Sequence, residues 1–348
     1  MLFLLWGALI WLPLIWNPSD YPVLAHRYLM LNGFFGCFAC GFLMTAVPKF
    51  SQTDSASWYE IIAFLSVTCF GLWPAYADKP PLVFFISALQ PSIILFFLLT
   101  RIFHRKQNPP YSFIFLFVGL ILWLVSALLS IFIDAEAFKH LHYEGAIACM
   151  ILGVGSRLIP GILGHWEIVS AQKPIPLYRT LPVTFLLIVI SFSMSYFLPE
   201  FSGGILRALV VSYIGITYWH LQKFPVIRSS LPWSVWIASW MIVLSFLLKA
   251  FWQEGLIHIS HAFFISGIVL LTLLVATRVL QSHGPKDPSL ENSKTLYLVT
   301  FLLVLAAATR VSAFLLPHLY LSHLGYSSLI LSLAVIIWSI KYLRFILK

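Results

Sequence analysis

Apolar residues in this chain gather in long runs broken by short polar stretches; they do not alternate with polar ones. Runs of this kind predict membrane-crossing helices, each of which takes about 20 residues. They exclude a transmembrane β-barrel, whose strands show shorter alternating segments. The pattern predicts spans near 2–16, 26–48, 58–76, 82–103, 111–133, 140–163, 181–198, 203–221, 232–254, 258–280, 294–317 and 322–347. The breaks carry turn chemistry, as in NPSDYP, DKPP, RKQNPPY, QKPIP and SHGPKDPSLEN. The expected fold class is all-α: a polytopic membrane helix bundle of about twelve transmembrane helices, forming one integral membrane domain over 1–348. No loop is long enough for a soluble domain, so function belongs in the bundle or at its mouths. The opening MLFLLWGALIWLPLIW lacks a basic leader and a small-residue cleavage site, and is read as a retained first helix.

Composition agrees with that reading. The chain is 60% hydrophobic and 9% charged, against about 25% charged in soluble domains. The net charge of +9 forms no basic stripe, so lipid is the expected partner and nucleic acid is not. Segments after every second span hold 15 of the 21 Lys and Arg residues. The positive-inside rule makes that side cytoplasmic and puts both termini there. His26, His140, His142, His258, His261, His318 and His323 then fall at the outer ends of their spans. They are either ordinary interfacial residues or a converging set able to hold haem or copper.

Two spans share a pattern. HLHYEGAIACMILGVGSRLIP and HAFFISGIVLLTLLVATRV each open on His, with Arg 17 residues on, preceded by Ser or Thr. Pro48 and Pro160 bring the second span into register with them, which sets Tyr28 beside His140 and His261. Similarity of spans 2, 6 and 10 points to three four-helix units, roughly 1–103, 111–221 and 232–347.

Candidate chemistry follows from these histidines. His140 and His261 are expected to supply axial ligands to a b-type haem from facing helices. His26, Met30, Gly33, Cys37, Cys40 and Met44 lie at steps of three and four along one face of span 2. That stripe suits Cu(I), or close packing by small and pliable residues. Glu144, one turn beyond His140, is expected either to fix the tautomer of His140 or to pair with an arginine. Arg157 and Arg278 lie about 25 Å down their helices from the histidines, which suits orientation anchoring. Arg310 falls in the outer half of its span and is the candidate propionate partner, together with His318. No catalytic triad, Walker loop or zinc motif appears.

AHRYLMLNGFFGCFACGFLMTAVPKF, GVGSRLIP and HAFFISGIVLLTLLVATRVLQSHG resemble, in order, three blocks of the NnrS family, and the twelve-span layout agrees. The resemblance covers nearly the whole chain. It implies a bacterial inner-membrane protein containing haem and copper, linked to nitric oxide tolerance and denitrification. His26 and Met30 match the His and Met of the family's HAHEM motif, and Arg157, Pro160, His261, Arg278 and His283 match the later blocks. Tyr28 and Leu29 stand where that motif has its second His and its Glu. Tyr28 is then a candidate haem ligand as a phenolate, and one of the family's metal sites is expected to be altered or missing. The function expected is nitric oxide handling by redox chemistry or gas binding at the outer histidines, with an unidentified electron donor. The alternatives are a cofactor-free transporter and a structural subunit of a larger membrane complex.

Overall fold

A computed structural model of the chain describes residues 1–12, 21–109, 111–165, 181–283 and 287–345. Among these residues the regular structure is entirely helical. In lipid a helix satisfies its backbone groups internally, which is why each apolar run takes that form. The helices are α1 (Leu2–Leu9), α2 (Val23–Ser51), α3 (Trp58–Tyr76), α4 (Pro80–Phe103), α5 (Phe113–Phe132), α6 (Glu136–Ile162), α7 (Leu181–Met194), α8 (Glu200–Thr217), α9 (Ser230–Phe251), α10 (Leu256–Ser282), α11 (Lys294–Leu315) and α12 (Pro317–Phe345).

Every predicted span therefore corresponds to a described helix, but they are not equivalent. Nine of the described helices are long and apolar enough to cross a membrane, so the protein is multi-pass. The other three are α1, with 8 residues, α7, with 14, and α8, which carries the Arg207–Glu200 ion pair. Residues 13–16 of the first predicted span lie outside the described set, as do Lys173, Arg179, Lys286 and the last residues of span 12.

Local signals set the helix ends. Ser57 and Glu60 form a reciprocal capping box at the start of α3. Pro80 opens α4, where its missing N–H costs nothing. Gln52 closes α2 in the left-handed region, at φ 54°.

Three helices differ from the rest. α2, α6 and α10 contain π-helical turns at Leu29–Phe35, Leu141–Gly145 and Phe263–Val269. These are the spans that share the sequence pattern, and each wide turn begins within three residues of His26, His140 or His261. Wide turns inside α-helices occur often at functional sites. The same helices are central: 61% of the apolar window of α2 and 72% of those of α6 and α10 is buried, against 28% for α3.

A polar network ties α2 to its neighbours. Asn32 Nδ2 donates to Ser87 Oγ and Gln90 Oε1, each at 2.6 Å. Gln90 Nε2 donates to Thr68 Oγ1 at 2.6 Å and to the Asn32 carbonyl at 3.2 Å, inside the π-helical turn. Trp123 Nε1 donates to Ser87 Oγ, which also meets His142 Nε2, both at 3.2 Å. Such interhelical hydrogen bonds hold membrane helices in one register.

Candidate functional site

The histidine-bearing ends of α2, α6 and α10 enclose a cavity of about 570 Å³. Cavities of that size hold cofactors and drug-sized ligands. Its walls include His26, Arg27 and Met30 from α2, His140 and Glu144 from α6, and His261 from α10. Arg207, Lys249 and Arg310 join from α8, α9 and α11.

Two of the histidines form a pair. The rings of His26 and His261 lie 6.5 Å apart, centre to centre, and within 17° of parallel. His26 Nδ1 is 2.8 Å from the Gly7 carbonyl, and His261 Nδ1 is 2.6 Å from the Ile257 carbonyl. A carbonyl only accepts, so each Nδ1 carries the proton. In the neutral rings each Nε2 then keeps its lone pair, as a metal-binding imidazole requires. Gly7 makes the first of these bonds feasible. A Cβ there would lie 3.1 Å from Met30 Sδ and 3.2 Å from Leu29 Cβ, so glycine lets α1 pack closely on α2.

The remaining histidines of that set separate. His140 lines the cavity at its rim, 52% exposed, with Nε2 3.8 Å from Glu136 Oε2. The residue brought beside His261 is thus His26, where the sequence repeat suggested His140. His142 is buried between Ser87 and Ser126, away from the cavity. His258 Nδ1 accepts from Arg310 Nη1 at 2.6 Å, so the imidazole on Arg310 is that of His258 and not of His318, which is exposed. His323 meets Ser312 Oγ at 2.9 Å.

Tyr28 also departs from expectation. Its ring is buried against α3, and its hydroxyl donates to the Thr68 carbonyl at 2.9 Å. A Cβ on Gly71 would lie 2.0 Å from that hydroxyl oxygen, so the phenol occupies space that glycine leaves open. Two residues turn a helix by about 200°, so Tyr28 and His26 point to opposite sides. Met30, four residues from His26, stays on the cavity face. Cys37 and Cys40 do not line the cavity. Cys40 Sγ lies 3.5 Å from Met44 Sδ within the packed helix face.

Glu144 neither fixes His140 nor meets an arginine. It pairs with Lys249 from α9, and accepts from Ser260 Oγ at 3.1 Å and Tyr196 Oη at 3.2 Å. Arg207 stacks 4.6 Å from the centre of the Tyr196 ring and bonds Glu200 at 2.6 Å. Lys139 pairs with Asp134 and Glu136. Two cavity cations remain. Among the described residues, Arg27 and Arg310 have no carboxylate within ion-pair distance; Arg27 lies over the Tyr143 ring, 5.2 Å from its centre. Tyr21 lies close enough to feel both charges. Its hydroxyl is buried without a hydrogen-bond partner, and burial keeps it a neutral phenol. Sequence reading missed Gly7, Tyr21, Arg27, Tyr196 and Lys249 as site residues. The signal for Lys249 was a lysine placed inside an apolar run.

Among the described residues no cluster of three or more His, Cys, Asp or Glu side chains is placed to hold a metal ion. The cavity instead offers two paired imidazoles and two arginines without a carboxylate partner among the described residues. No curated protein matches the chain. The family model described as NnrS protein matches residues 1–348, and the chain belongs to the NnrS family.

Proposed function

We propose that the cavity binds b-type haem, which His26 and His261 would hold at the iron and Arg27 and Arg310 at the propionates. The observation that carries this reading is the imidazole pair, in which both Nδ1–H groups are held by carbonyls and both Nε2 atoms are free. The spacing supports it: the two rings lie 6.5 Å apart, near enough to share one ligand. The charges support it as well. Two arginines without carboxylate partners, and the unpartnered Tyr21 hydroxyl in the same cavity wall, suit a ligand with two carboxylates.

When bound, haem would supply one-electron chemistry, and an iron held by both imidazoles would take a small diatomic molecule in exchange for one of them. The chain's own residues hold the imidazoles in one tautomer, neutralise the carboxylates and wall the site with apolar side chains such as Phe34 and Phe264. Family membership points to nitric oxide as the molecule handled. The setting proposed is the bacterial inner membrane, with both termini cytoplasmic and the cavity facing outward, a reading that the charge bias supports.

Copper is the second reading for the same place. Two neutral imidazoles and the Met30 thioether, one turn from His26, make a donor set suited to Cu(I). Absorption and metal analysis of the purified protein separate the two. A Soret band that shifts on adding nitric oxide supports haem. Copper without a Soret band supports the second reading, and a colourless, metal-free preparation from haem-replete cells removes both.

A further inference from the structure

Below the histidine cavity the same three helices enclose a smaller one of about 70 Å³. Its walls are Phe38 and Phe42 of α2, Met150 and Val154 of α6, and Leu271 and Val275 of α10, among others. Thr272 alone among the lining side chains is polar. A buried water needs two to four polar partners, whereas apolar cavities stay dry and accept xenon. The volume suits a guest of a few atoms, not a haem.

Position gives the cavity a direction. Phe35 and Ile268 line both cavities, so the two meet at these side chains. Phe35 ends the π-helical turn of α2, and Ile268 sits in that of α10. Around the lower cavity, Phe38, Phe42, Ile151 and Leu158 are only half-buried, in helices whose surroundings are lipid. A half-buried apolar wall on one side and a polar, cationic chamber on the other favour neutral molecules over ions, whose desolvation is costly.

We propose that the lower cavity is a gas site, which takes a neutral diatomic molecule from the bilayer and passes it between Phe35 and Ile268 to the histidine cavity. Gas occupancy stands apart from the haem reading; delivery to a haem rests on it. Binding is non-covalent, and no bond forms or breaks.

The test uses the full chain, purified in lipid nanodiscs or detergent and crystallised under xenon pressure. Xenon density between Phe38, Met150 and Leu271 is the expected result. Density for a lipid tail there, or no xenon, overturns the gas site. Val275→Phe fills the space and should remove the xenon. It should also slow nitric oxide rebinding after flash photolysis several-fold, with haem content unchanged. Leu271→Ala enlarges the cavity and should raise xenon occupancy and speed rebinding, which keeps the test decisive if the larger side chain prevents folding. Rebinding that is unchanged after Val275→Phe has removed the xenon overturns delivery. A colourless protein that still takes up xenon overturns the haem reading and delivery together, and supports the gas site.

Discussion

Three histidines line the cavity, and their surroundings make them unequal. His26 and His261 each have Nδ1–H on a backbone carbonyl, whereas His140 is half in solvent beside Glu136. Replacing His26 or His261 singly by Ala should therefore reduce bound haem or change its Soret and α-band spectrum, and His140→Ala should leave both nearly intact. Equal loss in all three variants would remove the assignment. The arginines give a second test. Arg27→Gln and Arg310→Gln should each weaken haem retention by about tenfold, about 1.4 kcal/mol, within the range for a hydrogen bond to a charged group. Competition with apomyoglobin measures it. The histidine set was legible in the sequence because each residue opens an apolar run. The alignment of spans set Tyr28 beside His140 and His261 and the family resemblance pointed to His26; that only His26 of the two lines the cavity required the structure, because the two residues lie on opposite helix faces.

At the scale of elements, α1 is more than a membrane anchor. Its eight residues lie along α2, and Gly7 sets how closely they approach. Gly7→Val should push α1 away and cost His26 its carbonyl partner, which lowers haem content while the protein remains folded. Resonance Raman of the iron–histidine modes and size-exclusion chromatography check the two halves of that statement. Gly71→Ala should instead destabilise the α2–α3 contact by about 1–3 kcal/mol, the usual cost of overpacking, because the new methyl overlaps the Tyr28 hydroxyl. The similarity of spans 2, 6 and 10 was readable from the sequence. Their shared π-helical turns were not, since a single added residue in a helical turn leaves the apolar run unchanged.

At the scale of the molecule, Glu144 of α6 and Lys249 of α9 join distant parts of the chain through a buried ion pair. Glu144→Gln or Lys249→Met alone leaves a charge without its partner and should destabilise the bundle by about 3–5 kcal/mol; the double variant should recover much of that. Thermal unfolding in one detergent checks it. Topology has its own test. Cysteine placed at Glu254, between α9 and α10, should react with an impermeant maleimide in intact cells, and cysteine at Asn108, between α4 and α5, should not. The reverse pattern would turn the protein over in the membrane and put the histidine cavity on the cytoplasmic side.

The sequence alone determined that the chain is helical, multi-pass and of this family. Those properties follow from local runs: a helix closes its hydrogen bonds within itself, and lipid demands no more than length and apolarity. Side-chain pairing required the tertiary structure. Glu144 with Lys249, His26 with His261, and Arg310 with His258 each join residues far apart in the chain. The helix face each residue presents, and which neighbour packs on that face, depends on interhelical packing, and hydrophobic periodicity inside lipid barely encodes it.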